Sequence, residues 1–424
     1  MKKNLNSPSL NLRPIVIGLL FLATSALAGA QTEKAIYTFL GQPDGRMPEG
    51  PVVFDRSGNL YGATPFGGAF GLGSIYKLTR SGSSWTETIL YSFGTTTNDA
   101  TTPVGNVVFD AKGNLYGAAA LGGVNGAGAV FELSPPAISG GTWTETTLYS
   151  FSLVDTKDPA PCGLLWLNGL HLYGVAMMGG TGNGSIFELT PPATSGGSWL
   201  EQTIYAFTGG SDGKYPGFGC GPLIADKSGN LYGSTEKGGS TNNGTVFELS
   251  PPATSGGSWT KNILYSFASG TSDGQLPAGP LAFDANGNLF GTTDIGGSHV
   301  HEGTVFELTP AGGGLWSESI VYSFGGFSTD GYGPYDGVLF DKAGNMYGTT
   351  VSSVSNNNGT VWELTPPATS GEAWTETILH NFTGGSDGGE PYSPLIAGPS
   401  GVLYGTTLDG GGSNSAGVVY QLVP

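Results

Sequence analysis

Charge is scarce in this sequence, and positive charge is the scarcer sign. Only 11% of the 424 residues are charged, with 15 basic and 32 acidic side chains and a net charge of −17. Binding to nucleic acid or to an anionic membrane depends on a basic surface. Both classes of partner are therefore excluded.

Arginine and histidine are also few, which argues against two classes of enzyme. After residue 30 the arginines are Arg46, Arg56 and Arg80, too few and too clustered for a sialidase-like ring around a carboxylate. Three Gly-x-Ser-x-Gly sequences match the nucleophile motif of serine hydrolases, but that motif needs a strand-to-helix turn and a histidine partner. The chain has four histidines, and here the motif recurs between repeats, so we interpret it as a loop sequence.

Long apolar runs are missing after residue 30, so we expect no membrane span. Residues 1–30 have the features of a signal peptide, with a basic head at Lys2, Lys3 and Arg13, a short apolar core and a small-residue cleavage site. This segment holds no acidic residue, so its removal changes the net charge from −17 to −20. We expect an exported, soluble protein of the periplasm, the cell surface or the medium.

Glycine, in contrast, is abundant. The 75 glycines and 27 prolines approach the fraction at which an aperiodic chain is suspected of disorder. Aromatic residues nevertheless make up 11% of the chain and hydrophobic residues 38%, which is more apolar surface than a disordered chain leaves in water. The chain therefore folds, and its glycines have defined places.

One short segment recurs along the chain. It has the form Gly-Asn-Leu-Tyr-Gly at residues 58–62 and returns six times with small changes. Its aromatic residue occupies positions 61, 116, 173, 232, 290, 347 and 404, with spacings of 55 to 59 residues. We predict one domain over residues 31–424, built from seven repeats.

Each repeat contains four short segments of strand character and lacks helical periodicity. In the fourth repeat they are residues 222–225, 230–235, 245–249 and 259–267. The first two are joined by Asp-x-x-Gly-Asn, which suits a hairpin turn, and repeat three shortens this loop to Asn168-Gly169. The pattern predicts an all-β, seven-bladed β-propeller with four antiparallel strands per blade.

The two ends of the chain indicate how the ring closes. The seventh repeat stops after its third strand, at residues 417–422, whereas residues 35–39 match the end of a fourth strand. We predict that this N-terminal strand pairs with the last blade and removes an open edge. We expect the ring to be a monomer.

The repeats carry a resemblance to a known family. Gly-Asn-Leu-Tyr-Gly-(Thr/Ser)-Thr, then Gly-Gly, then Gly-Thr-Val-Phe-Glu-Leu-Thr resembles the GloVer (Gloeobacter/Verrucomicrobia) tandem-repeat family of exported bacterial proteins in all seven copies. The resemblance implies export and a propeller. It implies no activity, ligand or site residue.

The loop that leads into each blade is the main candidate for a binding site. Asp-Gly-x-x-Pro recurs there, and connectivity places these loops at the mouth of the central channel. Carboxylates beside exposed rings suit sugar hydroxyls and ring faces, or a cation. The alternative is that each Asp only caps its own turn. The candidate binding residues are Asp212, Tyr215, Phe218, Asp330, Tyr332, Tyr335, Asp387 and Tyr392.

A metal site is predicted at one place only, the segment His299-Val300-His301-Glu302. Alternation puts both imidazoles on one side, with the Glu302 carboxylate adjacent, as a divalent metal requires. The alternative is a solvated loop. We expect no other cofactor.

The two cysteines stand at equivalent places in neighbouring repeats. Cys162 and Cys220 each precede the glycine that opens the first strand, so the propeller brings both close to its axis. In an exported protein such a pair favours a disulfide, and two buried free thiols are the alternative.

Acidic residues do not suggest a catalytic centre. The glutamates at positions 132, 188, 248, 307 and 363 lie in the third strands of separate blades, so they do not converge. We favour a non-catalytic propeller that binds a glycan, a peptide or a cell-surface protein on its acidic loop face. The alternative is a secreted enzyme, a metal-assisted lactonase or a polysaccharide-cleaving enzyme, which needs several acidic groups at one depth in the channel.

Overall fold

The computed structural model is a ring of seven four-stranded antiparallel sheets, which confirms the predicted seven-bladed propeller. It describes residues 31–138, 140–152, 160–167, 171–194, 197–254, 256–268, 270–299, 302–369 and 371–424. The predicted signal peptide and the predicted turn at Asn168-Gly169 lie outside these ranges. No helix in the described ranges has the length and apolar content of a membrane span.

Strands are numbered here from one, nearest the axis, to four, at the rim, and the first six blades follow chain order. Strands one to four of blade one are Val53–Phe54, Leu60–Thr64, Ser74–Ser81 and Ser84–Ser92. Those of blade two are Ala100–Phe109, Leu115–Gly122, Ala129–Ser134 and Thr144–Ser150. Those of blade three are Pro161–Leu167, His171–Ala176, Ser185–Thr190 and Leu200–Ala206. Strands one to four of blade four are Ile224–Ala225, Leu231–Lys237, Thr245–Ser250 and Thr260–Ser266. Those of blade five are Gly274–Phe283, Leu289–Gly296, Thr304–Gly312 and Leu315–Ser323. Those of blade six are Leu339–Phe340, Met346–Thr350, Thr360–Thr365 and Thr375–Asn381. Five further short strands lie between the blade strands: Gly45–Arg46, Phe66–Gly67, Lys214–Pro216, Gly331–Tyr332 and Ser352–Ser353. Three 3-10 helices are Gly210–Asp212, Phe218–Cys220 and Pro399–Gly401.

Blade seven combines the two ends of the chain. Its strands are Ile396–Ala397, Leu403–Thr407, Val418–Val423 and, outermost, the N-terminal Thr32–Thr38. Thr32 pairs with Val423, and Thr38 pairs with Val418. The predicted closure is confirmed, and the third strand of this blade has a partner on both sides.

The hydrophobic core lies between the blades. At every junction a buried phenylalanine just after strand four contacts an aromatic ring from strand three of the next blade, with ring centroids 5.0 to 5.5 Å apart. The seven phenylalanines are Phe39, Phe93, Phe151, Phe207, Phe267, Phe324 and Phe382. Burial of each such side chain stabilises the fold by about 2 kcal/mol.

A glycine in strand two makes room for that strand-three ring. A Cβ at Gly291 would lie 2.6 Å from Cζ of Phe306, and a Cβ at Gly405 would lie 2.5 Å from the hydroxyl oxygen of Tyr420. Because the same contact recurs in each blade, a glycine follows the strand-two aromatic throughout the chain.

The predicted hairpin turns are confirmed where the structure describes them. In blade four the Asp226 carboxylate accepts hydrogen bonds from the Ser228 and Asn230 backbone amides at 2.8 and 2.9 Å. It also accepts one from the Asn230 side chain at 2.8 Å. Asp55, Asp110, Asp284 and Asp341 form the same turn.

Candidate functional site

The aspartates of the loops between blades, here called crossover loops, face the strand they follow. Asp212 accepts hydrogen bonds from the Tyr205 hydroxyl at 2.6 Å and from the Thr208 amide at 2.7 Å. Asp330 and Asp387 accept equivalent bonds from the Gly326 and Thr383 amides, both at 2.9 Å. Turn capping and attachment to strand four therefore account for the three aspartates of the predicted binding set.

The residue before the crossover proline joins neighbouring blades through its backbone. Tyr215, Leu276 and Glu390 have φ of 59°, 57° and 53°, and their amides donate to carbonyls in the preceding blade at 2.8 to 2.9 Å. This conformation is unusual for residues other than glycine, and the inter-blade hydrogen bond holds it. The Tyr215 ring lies beside Lys214, whose Nζ is 5.4 Å from the ring centroid.

Strand-opening glycines meet around the axis. A Cβ at Gly221 would lie 2.6 Å from the Pro280 nitrogen, and a Cβ at Gly279 would lie 2.6 Å from the Gly337 nitrogen. Only glycine allows backbones from neighbouring blades to approach this closely. The equivalent residues of the seven blades, which precede strand one or lie within it, are Glu49, Val104, Cys162, Cys220, Ala278, Tyr335 and Tyr392.

Three predicted binding residues converge at this level. The rings of Tyr335 and Tyr392 are stacked, with centroids 5.0 Å apart and planes 18° apart, and Phe218 lies 5.8 Å from Tyr335. We call Phe218, Tyr335 and Tyr392 the axial aromatic cluster. Tyr332 lies apart from it and donates a hydrogen bond to Asn357 at 2.5 Å.

Phe218 joins the cluster because the crossover loop of blade four is longer than that of blade five. Between the crossover proline and the strand-opening glycine, blade four has residues 217–220 where blade five has only Ala278. The extra residues form a 3-10 turn over Phe218–Cys220, with Gly217 and Gly219 at φ of 64° and 77°. This turn carries the ring of blade four toward the tyrosines of blades six and seven.

A buried carboxyl group stands next to Tyr335 in the chain. Asp336 is 2% exposed and accepts a hydrogen bond from the Thr349 hydroxyl at 2.6 Å. Burial raises the pKa of Asp336 to about 8, so the group is largely protonated at neutral pH. It anchors the start of strand one and thereby the backbone that carries Tyr335.

Carboxylates surround the axial aromatic cluster. Asp294 accepts a hydrogen bond from the Tyr335 hydroxyl, and burial, with the nearby Glu236, raises the pKa of Asp294. Burial likewise raises the pKa of Glu49, which lies close enough to Tyr392 to act on it electrostatically. Aromatic faces with carboxylates beside them can bind hydroxyl groups or a cation.

Sequence reasoning missed these three carboxylates. Asp294 and Glu236 occupy the position after the Thr-Thr or Ser-Thr pair in the second half of strand two. The residue at this position is Pro65, Ala120, Met177, Val351 or Leu408 in the other blades. An aligned set of repeats therefore contains a signal, namely acidic residues at a position that is apolar in the other five blades. Glu49 is the one acidic residue among the seven equivalent residues at the start of strand one.

The two cysteines lie at the axis, as equivalent positions predict. The Cys220 thiol hydrogen bonds with Cys162, and this contact, with burial, raises the pKa of Cys220 well above its usual value. Both are free thiols in the structure, so the disulfide stays a prediction.

The predicted metal residues are placed only in part. His299 is exposed, with Nδ1 3.2 Å from the Ser298 hydroxyl, and the Glu302 side chain packs over Gly325. His301 lies outside the described residues. In the part of the chain that the structure describes, no three metal-ligating side chains gather at one point.

The strand-three glutamates bond within their own blades. Tyr173 and Tyr347 donate to Glu188 and Glu363 at 3.2 and 2.8 Å, and the Asn288 side chain donates to Glu307 at 2.8 Å. These groups stabilise individual sheets.

Fold and repeats together define the class of this protein, a seven-bladed β-propeller built from tandem repeats. The chain belongs to the Gloeobacter/Verrucomicrobia repeat family, whose sequence model matches residues 18–221 and 220–424. No curated protein matches it.

Two solved structures are similar to this chain in structure but distant in sequence. One is PorZ, a surface component of the type-IX secretion system of Porphyromonas gingivalis, with 16% identity and a TM-score of 0.49, covering 87% of this chain and 46% of PorZ. The chain thus spans less than half of PorZ. The other is a PL25 ulvan lyase, with 11% identity and a TM-score of 0.49, covering 92% of this chain and 95% of the lyase. Neither likeness bears on function.

Proposed function

We propose that this is an exported, non-catalytic propeller that binds a glycan at the axial aromatic cluster. The observation that carries the proposal is the convergence of Phe218, Tyr335 and Tyr392 from three blades beside the Asp294 and Glu49 carboxylates. Aromatic faces pack against the apolar faces of sugar rings, and carboxylates accept hydrogen bonds from sugar hydroxyls.

The test is a glycan array probed with residues 31–424, with and without calcium, followed by titration of the best ligand. Tyr335→Ala should weaken binding at least tenfold, because it removes the central ring of the cluster. Tyr332→Ala is the matched control and should leave the affinity unchanged, since Tyr332 lies outside the cluster. Failure of every glycan to bind, or equal effects of the two variants, would contradict the proposal. Turnover of a bound glycan would favour the enzyme alternative.

We also propose that export leads to a disulfide between Cys162 and Cys220. Thiol–disulfide exchange with an oxidising disulfide would remove two protons and two electrons from the pair and join blades three and four. Closing a loop of this length stabilises the fold by about 4 kcal/mol in the chain-entropy model. Thiol labelling of the exported protein, denatured without reductant, should find neither cysteine free, and two free thiols would contradict the bond.

A further inference from the structure

We infer that the glycan bound at the axial aromatic cluster carries free amino groups. The inference rests on the proposed function and adds the ligand's charge. It follows from the charges around the rings and from the way the same chain holds one of its own ammonium groups.

Negative charge predominates around the cluster. Glu236 has a cationic partner, Lys237, whose Nζ lies 3.2 Å from its carboxylate, and Lys214 lies against Tyr215. Within the described ranges, the structure gives Asp294 and Glu49 no ion pair. A ligand cation would therefore meet two partly buried carboxylates and aromatic faces, whose negative quadrupole attracts positive charge.

Lys261 shows that this chain can hold an ammonium group in such surroundings. Its Nζ lies 4.6 Å from the centroid of Phe207, 5.2 Å from that of Tyr205 and 2.8 Å from the Asp212 carboxylate. The side chain is only 4% exposed. Rings, one carboxylate and the Asp212 carbonyl oxygen compensate here for the loss of hydration, and the axial cluster offers rings and carboxylates to a ligand.

Other ligand charges fit less well. An N-acetylated sugar has no positive charge to offer Asp294, and a uronic acid is repelled by both carboxylates. A lysine peptide carries its ammonium on a flexible stem, whose ordering costs entropy. The stacked Tyr335 and Tyr392 rings are both partly exposed and are flat groups suited to a sugar ring, which favours an amino sugar over a peptide.

The experiment is calorimetric titration of residues 31–424 at pH 6 with three probes: a fully deacetylated glucosamine hexamer, its N-acetylated counterpart and pentalysine. We expect the amino hexamer to bind at least about tenfold more tightly than the acetylated one, a preference that declines with added salt. Asp294→Asn should abolish most of this preference, because it weakens binding of the amino hexamer much more than binding of the acetylated one. Asp409→Asn removes an exposed charge on another loop and should retain the preference.

The outcomes separate this inference from the proposed function. Equal affinities for the two hexamers would overturn the amino-sugar inference while glycan binding stands. Equal or tighter binding of pentalysine would overturn the choice of a sugar. Absence of binding to both hexamers and to every glycan of the array would overturn the proposed function as well.

Discussion

The junction between blades three and four contains a lysine where five other junctions contain a glutamate. At this junction Lys261, in strand four of blade four, forms an ion pair with Asp212 of the preceding crossover loop. Burial acts to raise the pKa of Asp212, but its hydrogen bonds, first among them the one from Lys261, lower it overall. Burial lowers the pKa of Lys261. The pair therefore remains charged while nearly enclosed.

At five other junctions a glutamate takes the place of the lysine and faces the equivalent aspartate. Burial, with the aspartate's charge, raises the pKa of the glutamate to about 7 in four of them and to about 8 for Glu376. The pairs are Glu33 and Asp387, Glu87 and Asp44, Glu145 and Asp99, Glu318 and Asp273, and Glu376 and Asp330. The remaining equivalent position is Glu201, and the crossover loop that precedes its blade includes residues outside the described ranges.

Where the surrounding rings match, one residue decides whether the crossover aspartate faces an ammonium group or a carboxyl group. Tyr265, Phe267 and Phe306 surround the Glu318 junction as Tyr205, Phe207 and Phe247 surround Lys261. The aromatic packing is thus the same at these two junctions, whereas the charge that faces the aspartate has the opposite sign. A buried glutamate beside an aspartate is more stable when it is protonated, because two adjacent carboxylates repel each other.

The largest expected effect is a loss of stability as the pH rises. The folded glutamates keep protons that the unfolded chain releases above its ordinary pKa of 4.5, so this stabilisation is complete below pH 4.5 and is lost as the pH passes 7 to 8. After allowance for partial exposure, each pair contributes about 1 kcal/mol, on the order of 5 kcal/mol in all. Urea unfolding from pH 5 to pH 8 measures it. A free energy of unfolding that increases over this range would refute the prediction that the folded glutamates keep their protons.

The next effect concerns the ion pair. Lys261→Met keeps the apolar stem but leaves the Asp212 charge without its partner, which should cost about 3 kcal/mol at pH 8. Glu318→Gln is the matched control and should instead stabilise the protein by about 1 kcal/mol at that pH, because it removes a charge next to Asp273. The same sign for both variants in urea unfolding would erase the distinction between the two kinds of junction.

A third prediction converts one kind of junction into the other. Glu318→Lys places an ammonium group among rings equivalent to those around Lys261, opposite Asp273, which is 4% exposed. At pH 8 it should increase the free energy of unfolding by about 2 kcal/mol. It should also remove this junction's share of the pH dependence. If the variant is less stable than the wild-type protein, residues other than this one must also distinguish the lysine junction from the glutamate junctions.

The smallest effect tests the tyrosine that serves both carboxyl groups of a junction. The Tyr322 hydroxyl lies 2.9 Å from Glu376 and 3.3 Å from Asp330. Tyr322→Phe removes this donor and should cost about 1 kcal/mol at pH 9, above the pKa of about 8 of Glu376, and less at pH 5. Equal losses at both pH values would assign the hydroxyl to packing alone.

Repetition made most of the fold predictable. The recurring Asp-x-x-Gly-Asn turns, the aromatic-glycine pairs and the partial repeat at each end act locally or between adjacent strands, so each repeat predicts its own blade. In blade four the predicted strands differ from the observed ones by two residues or fewer at each end.

The candidate site was less accessible from sequence. Phe218, Tyr335 and Tyr392 were predicted from their crossover loops, but the aspartates grouped with them bind their own loops. Asp294 and Glu236 were missed because they come from the ends of strand two, at positions that only the closed ring brings beside the tyrosines.

The sequence by itself determined the number of blades, the strands, the turns and the closure of the ring, because these depend on hydrogen bonds and packing between neighbours along the repeat. Only the tertiary structure decided which rings and carboxylates meet at the axis and which charges face each other between blades. Those contacts join non-equivalent positions of different repeats, and their energies depend on burial, which spacing along the chain does not reveal.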